Sequence, residues 1–115
     1  MKPRPGDSIM TFKEHWLKQV LKGSKTMEIR HRRYKQGTYF LGCKGVVRGV
    51  ATFGQAVPIL DRETWAAHRG EHCVLGDELP YAKTYGLPVL SVKTVRSFAY
   101  THPQGAVGLV RYRPE

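Results

Sequence analysis

Between residues 12 and 22, apolar side chains recur as Phe12, Trp16, Leu17, Val20 and Leu21, one stripe at i, i+4 and i+1, i+5. That spacing predicts an amphipathic helix, with Lys13, Lys18 and Lys22 mostly off the stripe. Thr11 and Glu14 have capping-box spacing and place its start near Phe12. Gly23 supplies the left-handed position that ends it. Residues 8–12 read as a short strand or as the approach to this helix. Beyond Gly23 the period changes to two. Met27 and Ile29 face one way, and Thr26, Glu28 and Arg30 face the other, so residues 26–31 form a strand.

The same reading gives strands over residues 38–41 and 46–53, joined so tightly through Cys43-Lys44-Gly45 that they pair as a hairpin. Gly49 inside the second marks a bulge, a bend or the close approach of another backbone. Residues 55–59 continue the sheet until Pro58 weakens the ladder. Asp61 caps a short helix through about His68, turning Trp65, Ala66 and Ala67 toward the core. Residues 76–88 read as a loop anchored by Tyr81 and Tyr85. Residues 89–98 are a β-branched and aromatic strand, 101–105 a turn, and 106–112 a closing strand. The polar start, with Pro3, Pro5 and Gly6, is a loose tail over residues 1–7 in which Lys2 and Arg4 are solvated, leaving 8–115 as one domain. The expected fold is α+β: five or six short strands curled into a small β-barrel, with flanking helices. Closure would remove the edges that so small a sheet exposes.

Composition adds one strong constraint. The chain has 115 residues and is 41% apolar, enough for one ordinary core. It carries 19 Lys and Arg against 9 Asp and Glu, a formal charge of +10. Residues 1–50 hold 12 of the cations and 3 of the carboxylates, a net of +9, against +1 for the rest. One basic face follows, suited to RNA or a nucleotide-like anionic ligand. Cys43 and Cys73 lack CxxC spacing, and neither a His-x-Glu-x-x-His pattern nor a P-loop nor a dinucleotide fingerprint occurs. No metal or cofactor is therefore expected. No apolar run approaches the roughly 20 residues of a membrane span. The polar start is unlike a signal peptide, and a cytoplasmic or nuclear setting is expected.

The candidate chemistry sits where the helix stop meets the first charged strand. Lys25, Glu28 and Arg30 place an amine, a carboxylate and a guanidinium close together, with Arg32, Arg33, Tyr34 and Lys35 following. A lysine there acts as a base only if burial or neighbouring cations lower its pKa from about 10.4. A carboxylate among cations can accept hydrogen bonds from a base or an amide. Tyr34 and Tyr39 flank the patch, and aromatics beside cations suit single-stranded nucleic acid. Trp16 is assigned to the core in preference to a stacking platform. Lys44 extends the basic rim. Read from spacing alone, the same residues also describe a salt-bridged strand surface.

Gly23, Lys25, Glu28 and Arg30 together resemble the Gly-x-Lys-x-x-Glu-x-Arg signature of the ASCH domain, a branch of the PUA-like superfamily. Gly37 before a strand, the strand from Gly45 to Phe53 and the two terminal strands stand where that family would place them. The resemblance implies a small PUA-like barrel with a cleft holding the lysine and glutamate, and a link to RNA. Some members cleave RNA, and one bacterial branch hydrolyses N4-acetylcytidine. In that branch the lysine is catalytic, a threonine stands where this chain has Glu28, and a later glutamate completes the set. Lys25 carries over, Glu28 departs, and Glu63, Glu71 and Glu78 are candidates for the later acid. Three readings follow: an RNA-binding module, a hydrolase of RNA or a modified nucleoside using Lys25 and Glu28, and an adaptor with a basic surface.

Overall fold

The computed structural model describes residues 3–104, 106 and 108–114. Among these, the order is β1 (Ser8–Thr11), α1 (Glu14–Lys22), β2 (Met27–Arg30), β3 (Gly37–Cys43), β4 (Val46–Phe53), β5 (Val57–Ile59), α2 (Arg62–Ala67), α3 (Arg69–His72), β6 (Thr84–Ala99) and β7 (Leu109–Arg111). The strands form one mixed sheet in the order β2-β6-β4-β3-β1-β7, with β5 pairing β6 beside that path. The sheet curls into a half-barrel with three helices, an α+β architecture as expected. No described helix is long and apolar enough to cross a membrane.

The hairpin forms as read. β3 and β4 pair antiparallel from Gly37↔Phe53 to Cys43↔Val46. Lys44 and Gly45 between them both take positive φ, 50° and 79°, matching the twist of the strands they join. Gly49 is a point of close approach. A Cβ there would sit 2.6 Å from Leu21 Cδ2 and 3.1 Å from the Lys93 carbonyl, so α1 can settle on the sheet only over a bare backbone.

Several expectations need correction. β6 has 16 residues and takes in Thr84 to Pro88, where the sequence predicts a loop. Its first part pairs with β2 and β5 and the rest with β4, so one strand serves both halves of the curl. The Gly86 and Pro88 signals misled because Gly86 is needed for contact: a Cβ there would meet Met27 Sδ at 2.5 Å. The capping box does not form. Lys13 is the N-cap without a side-chain bond, the Thr11 hydroxyl donates to the Gly108 carbonyl at 3.0 Å, and Glu14 takes two bonds from Arg48 at 2.6 and 2.7 Å. Strand pairing and a long-range ion pair engage both capping groups. The segment read as a loose tail is held to the last strand over its described part. Pro3 is buried, Gly6 N–H donates to Tyr112 O, and Tyr112 N–H donates to Asp7 O. Lys2, Gly105 and Val107 lie outside the described residues.

Asp61 caps α2 as expected, accepting from Thr64 N–H at 2.8 Å. Trp65 is buried, whereas Ala66 and Ala67 are exposed. The core lies in three parts. Leu17 and Val20 of α1 pack with Leu41, Phe53 and Leu87. Ile9, Phe40, Val50 and Tyr100 form a second cluster. Met27 and Ile29 pack on Ile59 and Trp65, which fixes one face of β2 and leaves the face bearing Glu28 and Arg30 for the site.

Candidate functional site

The end of α1 aims Lys25. Gly23 adopts φ 82°, and the N–H groups of Ser24 and Lys25 then both reach Gln19 O, at 3.0 and 3.1 Å. This left-handed reversal satisfies carbonyls that the helix end would leave orphaned. It also folds Lys25 under the helix, with its Nζ 4.4 Å from the Trp16 ring centroid. Next, Thr26 N–H donates to Glu71 O, and Thr26 O accepts from Val89 N–H, locking the entry to β2.

Along β2, Glu28 and Arg30 project on one face, two residues apart. Arg30 Nε donates to Glu28 Oε2 at 2.7 Å, and Lys25 Nζ lies 3.8 Å from Glu28 Oε1. The Lys25 ammonium also donates to the His72 carbonyl. A further Arg30 bond, from Nη2 to Thr11 O at 2.8 Å, bridges from β2 to the end of β1. Phe12 and Tyr34 hold the guanidinium, their ring centroids 4.8 and 5.9 Å away. The result is an ordered row: amine, two carboxylate oxygens, guanidinium.

This row lines a cavity of about 700 Å³ between β2 and the end of β1, two strands that do not pair with each other. Of the predicted residues, Lys25, Glu28, Arg30, Tyr34 and Lys44 line it. Arg32, Arg33 and Lys35 are exposed beside it, with Arg33 5.3 Å over the Tyr85 ring. Tyr39 is elsewhere. It is buried in the core against Phe53, and its hydroxyl donates to Lys35 O at 2.5 Å. His31, the first residue of the basic run, also lines the cavity, and Trp16 packs on the core while presenting its ring to the cavity. Phe12, Lys13, Tyr81 and His102 line it as well, without having been expected there. Tyr81 and His102 arrive from distant loops.

Glu28 is the one carboxylate among the described lining residues. Glu63 is exposed, Glu71 pairs with His68 at 2.6 Å, and Glu78 pairs with Arg62 at 2.5 Å. None of these later acids joins the row. Among the described residues no three His, Cys, Asp or Glu gather as metal ligands, and both cysteines are free thiols.

Burial drives the Lys25 amine below the ordinary lysine range; Glu28 and Cys73 oppose that shift, and Arg30 reinforces it. The cause is desolvation, since Lys25 is only 2% exposed. Behind it, His72 stacks on Trp65 at 3.8 Å between centroids, and burial holds its pKa below the usual histidine value. The His72 ring is tied on both sides, Nε2 to Trp65 O at 2.9 Å and Nδ1 accepting from Val74 N–H at 2.9 Å.

Solved structures of an ASCH protein from Zymomonas mobilis superpose on this chain with a TM-score of 0.73. The chain has an ASCH-like fold. One of them, at 16% identity, covers 94% of this chain and 88% of its own length. A serine-to-alanine mutant of the same protein, at 15% identity, covers 97% and 92%. No family model matches the sequence. No curated protein matches it either. The likeness is thus one of backbone architecture, and Lys25, Glu28 and Arg30 line the cavity of this chain.

Proposed function

We propose that this ASCH-like chain binds RNA by drawing an unpaired nucleotide into the cavity between β2 and β1. The observation that carries this reading is the Lys25–Glu28–Arg30 row inside a pocket walled by Trp16, Tyr34 and Tyr81 and rimmed by Lys13 and Lys44. Its volume of about 700 Å³ lies in the range of small-ligand sites. Bases are recognised by stacking and by hydrogen bonds to their edges, and phosphates by exposed cations. Arg32, Arg33 and Lys35 supply those cations beside the mouth. The test is association with single-stranded RNA across a salt series. The expected log–log slope is negative, steepening by about 0.7 for each phosphate neutralised. Salt-independent association, or none, overturns the reading.

One observation favours a second reading, hydrolysis with Lys25 as base. The lowered Lys25 pKa increases the neutral amine that such a step requires. Against it stands the lack of a second acid among the described lining residues. Turnover of RNA or of an acylated cytidine that disappears in Lys25→Met, with RNA binding retained, would establish this second reading.

A further inference from the structure

We infer that the row from Lys25 to Arg30 selects guanine. This rests on the reading of the cavity as an RNA site and names the base it takes. The order of groups is fixed by contacts on both flanks: Lys25 stands beside Glu28 Oε1, and Arg30 stands beside Oε2. The row presented to the cavity is therefore donor, acceptor, acceptor, donor.

Neither end is exhausted by its internal contacts. An ammonium has three N–H donors, and Lys25 directs one to His72 O and one toward Glu28. A guanidinium has five, and Arg30 commits Nε to Glu28 and one Nη2 hydrogen to Thr11 O. Each carboxylate oxygen keeps a lone pair for a ligand. Arg30 cannot swing away, because Phe12, Tyr34 and the Thr11 carbonyl hold it.

Guanine offers O6 as acceptor with N1–H and N2–H as adjacent donors. The two donors meet the two Glu28 oxygens. Because the row reads the same from either end, O6 meets a cation whichever way the base enters. Uracil has a single donor between two acceptors and leaves one carboxylate oxygen facing an oxygen. Cytosine presents one donor followed by two acceptors, and adenine one donor and one acceptor, so each can satisfy only one of the two Glu28 oxygens. A buried carboxylate oxygen left unpaired is costly, and sites built around such bonds reject analogues lacking the matching group.

The decisive comparison is guanine against hypoxanthine, which differs by the exocyclic amine alone. Labelled single-stranded RNA bound to the unaltered chain is competed with oligoadenylate carrying one central guanosine or inosine, and in parallel with GMP, IMP, UMP, CMP and AMP. Guanosine is expected to compete about tenfold or more better than inosine. If the preference is seen only within RNA, the guanine belongs to a strand; if GMP shows it too, a free guanine nucleotide also fits the site. Equal competition by guanosine and inosine overturns the selection while leaving RNA binding intact. Absence of any RNA association overturns the RNA reading itself. Glu28→Gln, with its fold checked by circular dichroism, is expected to lose the guanosine preference, and retention of that preference would also overturn the assignment.

Discussion

Replacing Glu28 with Gln keeps the volume of the side chain and removes its charge. The electrostatic consequence follows from three side chains, at 2%, 7% and 12% exposure for Lys25, Glu28 and Arg30. At 3.8 Å, the Lys25–Glu28 attraction is about 4 kcal/mol for an effective dielectric near 20. The glutamine oxygen keeps part of the Arg30 bond, so that loss is nearer 1 kcal/mol. Deprotonation of Lys25 limits the total, and the expected net destabilisation at pH 7 is about 3 kcal/mol, the low end for breaking a buried pair. Urea denaturation should show it as a midpoint lower by about 2 M. The effect should depend on pH. In the native state the Lys25 pKa is lowered, chiefly by burial. Between that folded value and the unfolded value near 10.4, the unfolded chain holds the extra proton and stability rises with pH. Glu28 raises the folded value, so in the variant the rise begins at lower pH. The gap between wild type and variant should therefore narrow toward pH 10, where Lys25 is becoming neutral in both. In a Lys25→Met background the narrowing should vanish. A gap below about 0.5 kcal/mol at pH 7, or one equal at pH 7 and pH 10, would refute this reasoning.

Other outcomes follow from single contacts. His72 has a folded pKa below its unfolded value near 6.5, so stability should fall with pH through that value, by at most about 1.4 kcal/mol per unit. NMR of the His72 ring should find it titrating below the ordinary histidine range; a normal titration would contradict the tied ring. Tyr39→Phe should cost about 1 kcal/mol in urea denaturation and leave RNA association unchanged, because its hydroxyl bonds Lys35 O away from the cavity. Gly49→Ala should cost about 1–3 kcal/mol through the clash with Leu21, and Leu21→Ala should recover part of that loss in a double-mutant cycle read by thermal melting.

Much of this fold was legible because its signals are local. The stripe on α1, the Gly23 stop and the alternation of β2 each depend on residues a few positions apart, and each stands where it was read. So does the Asp61 cap. The failures came from distant contacts. Thr11 and Glu14 match a capping box, yet β1 pairing and Arg48 engage those groups from elsewhere in the chain. Thr84 to Pro88 carries loop signals, yet β2 and β5 draw it into β6 from both sides. The site divides the same way. Lys25, Glu28 and Arg30 lie within six residues and announce themselves as charge. Trp16 packs against the core as its apolar register predicts, and its ring also faces the Lys25 amine, which that register does not reveal. Tyr81, His102, Ala106 and Gly108 enter the cavity only because the curl of the sheet brings β2 near the end of β1. No spacing in the sequence encodes that approach.

Trp16 and Trp65 are the two tryptophans, and only Trp16 lines the cavity, Trp65 being buried against His72. Tryptophan emission during titration with single-stranded RNA therefore reports on the site itself. A saturable change in emission is expected, weakening with salt and absent from Trp16→Phe. If labelled RNA binds by anisotropy while wild-type emission stays constant, the cavity is not where RNA is held.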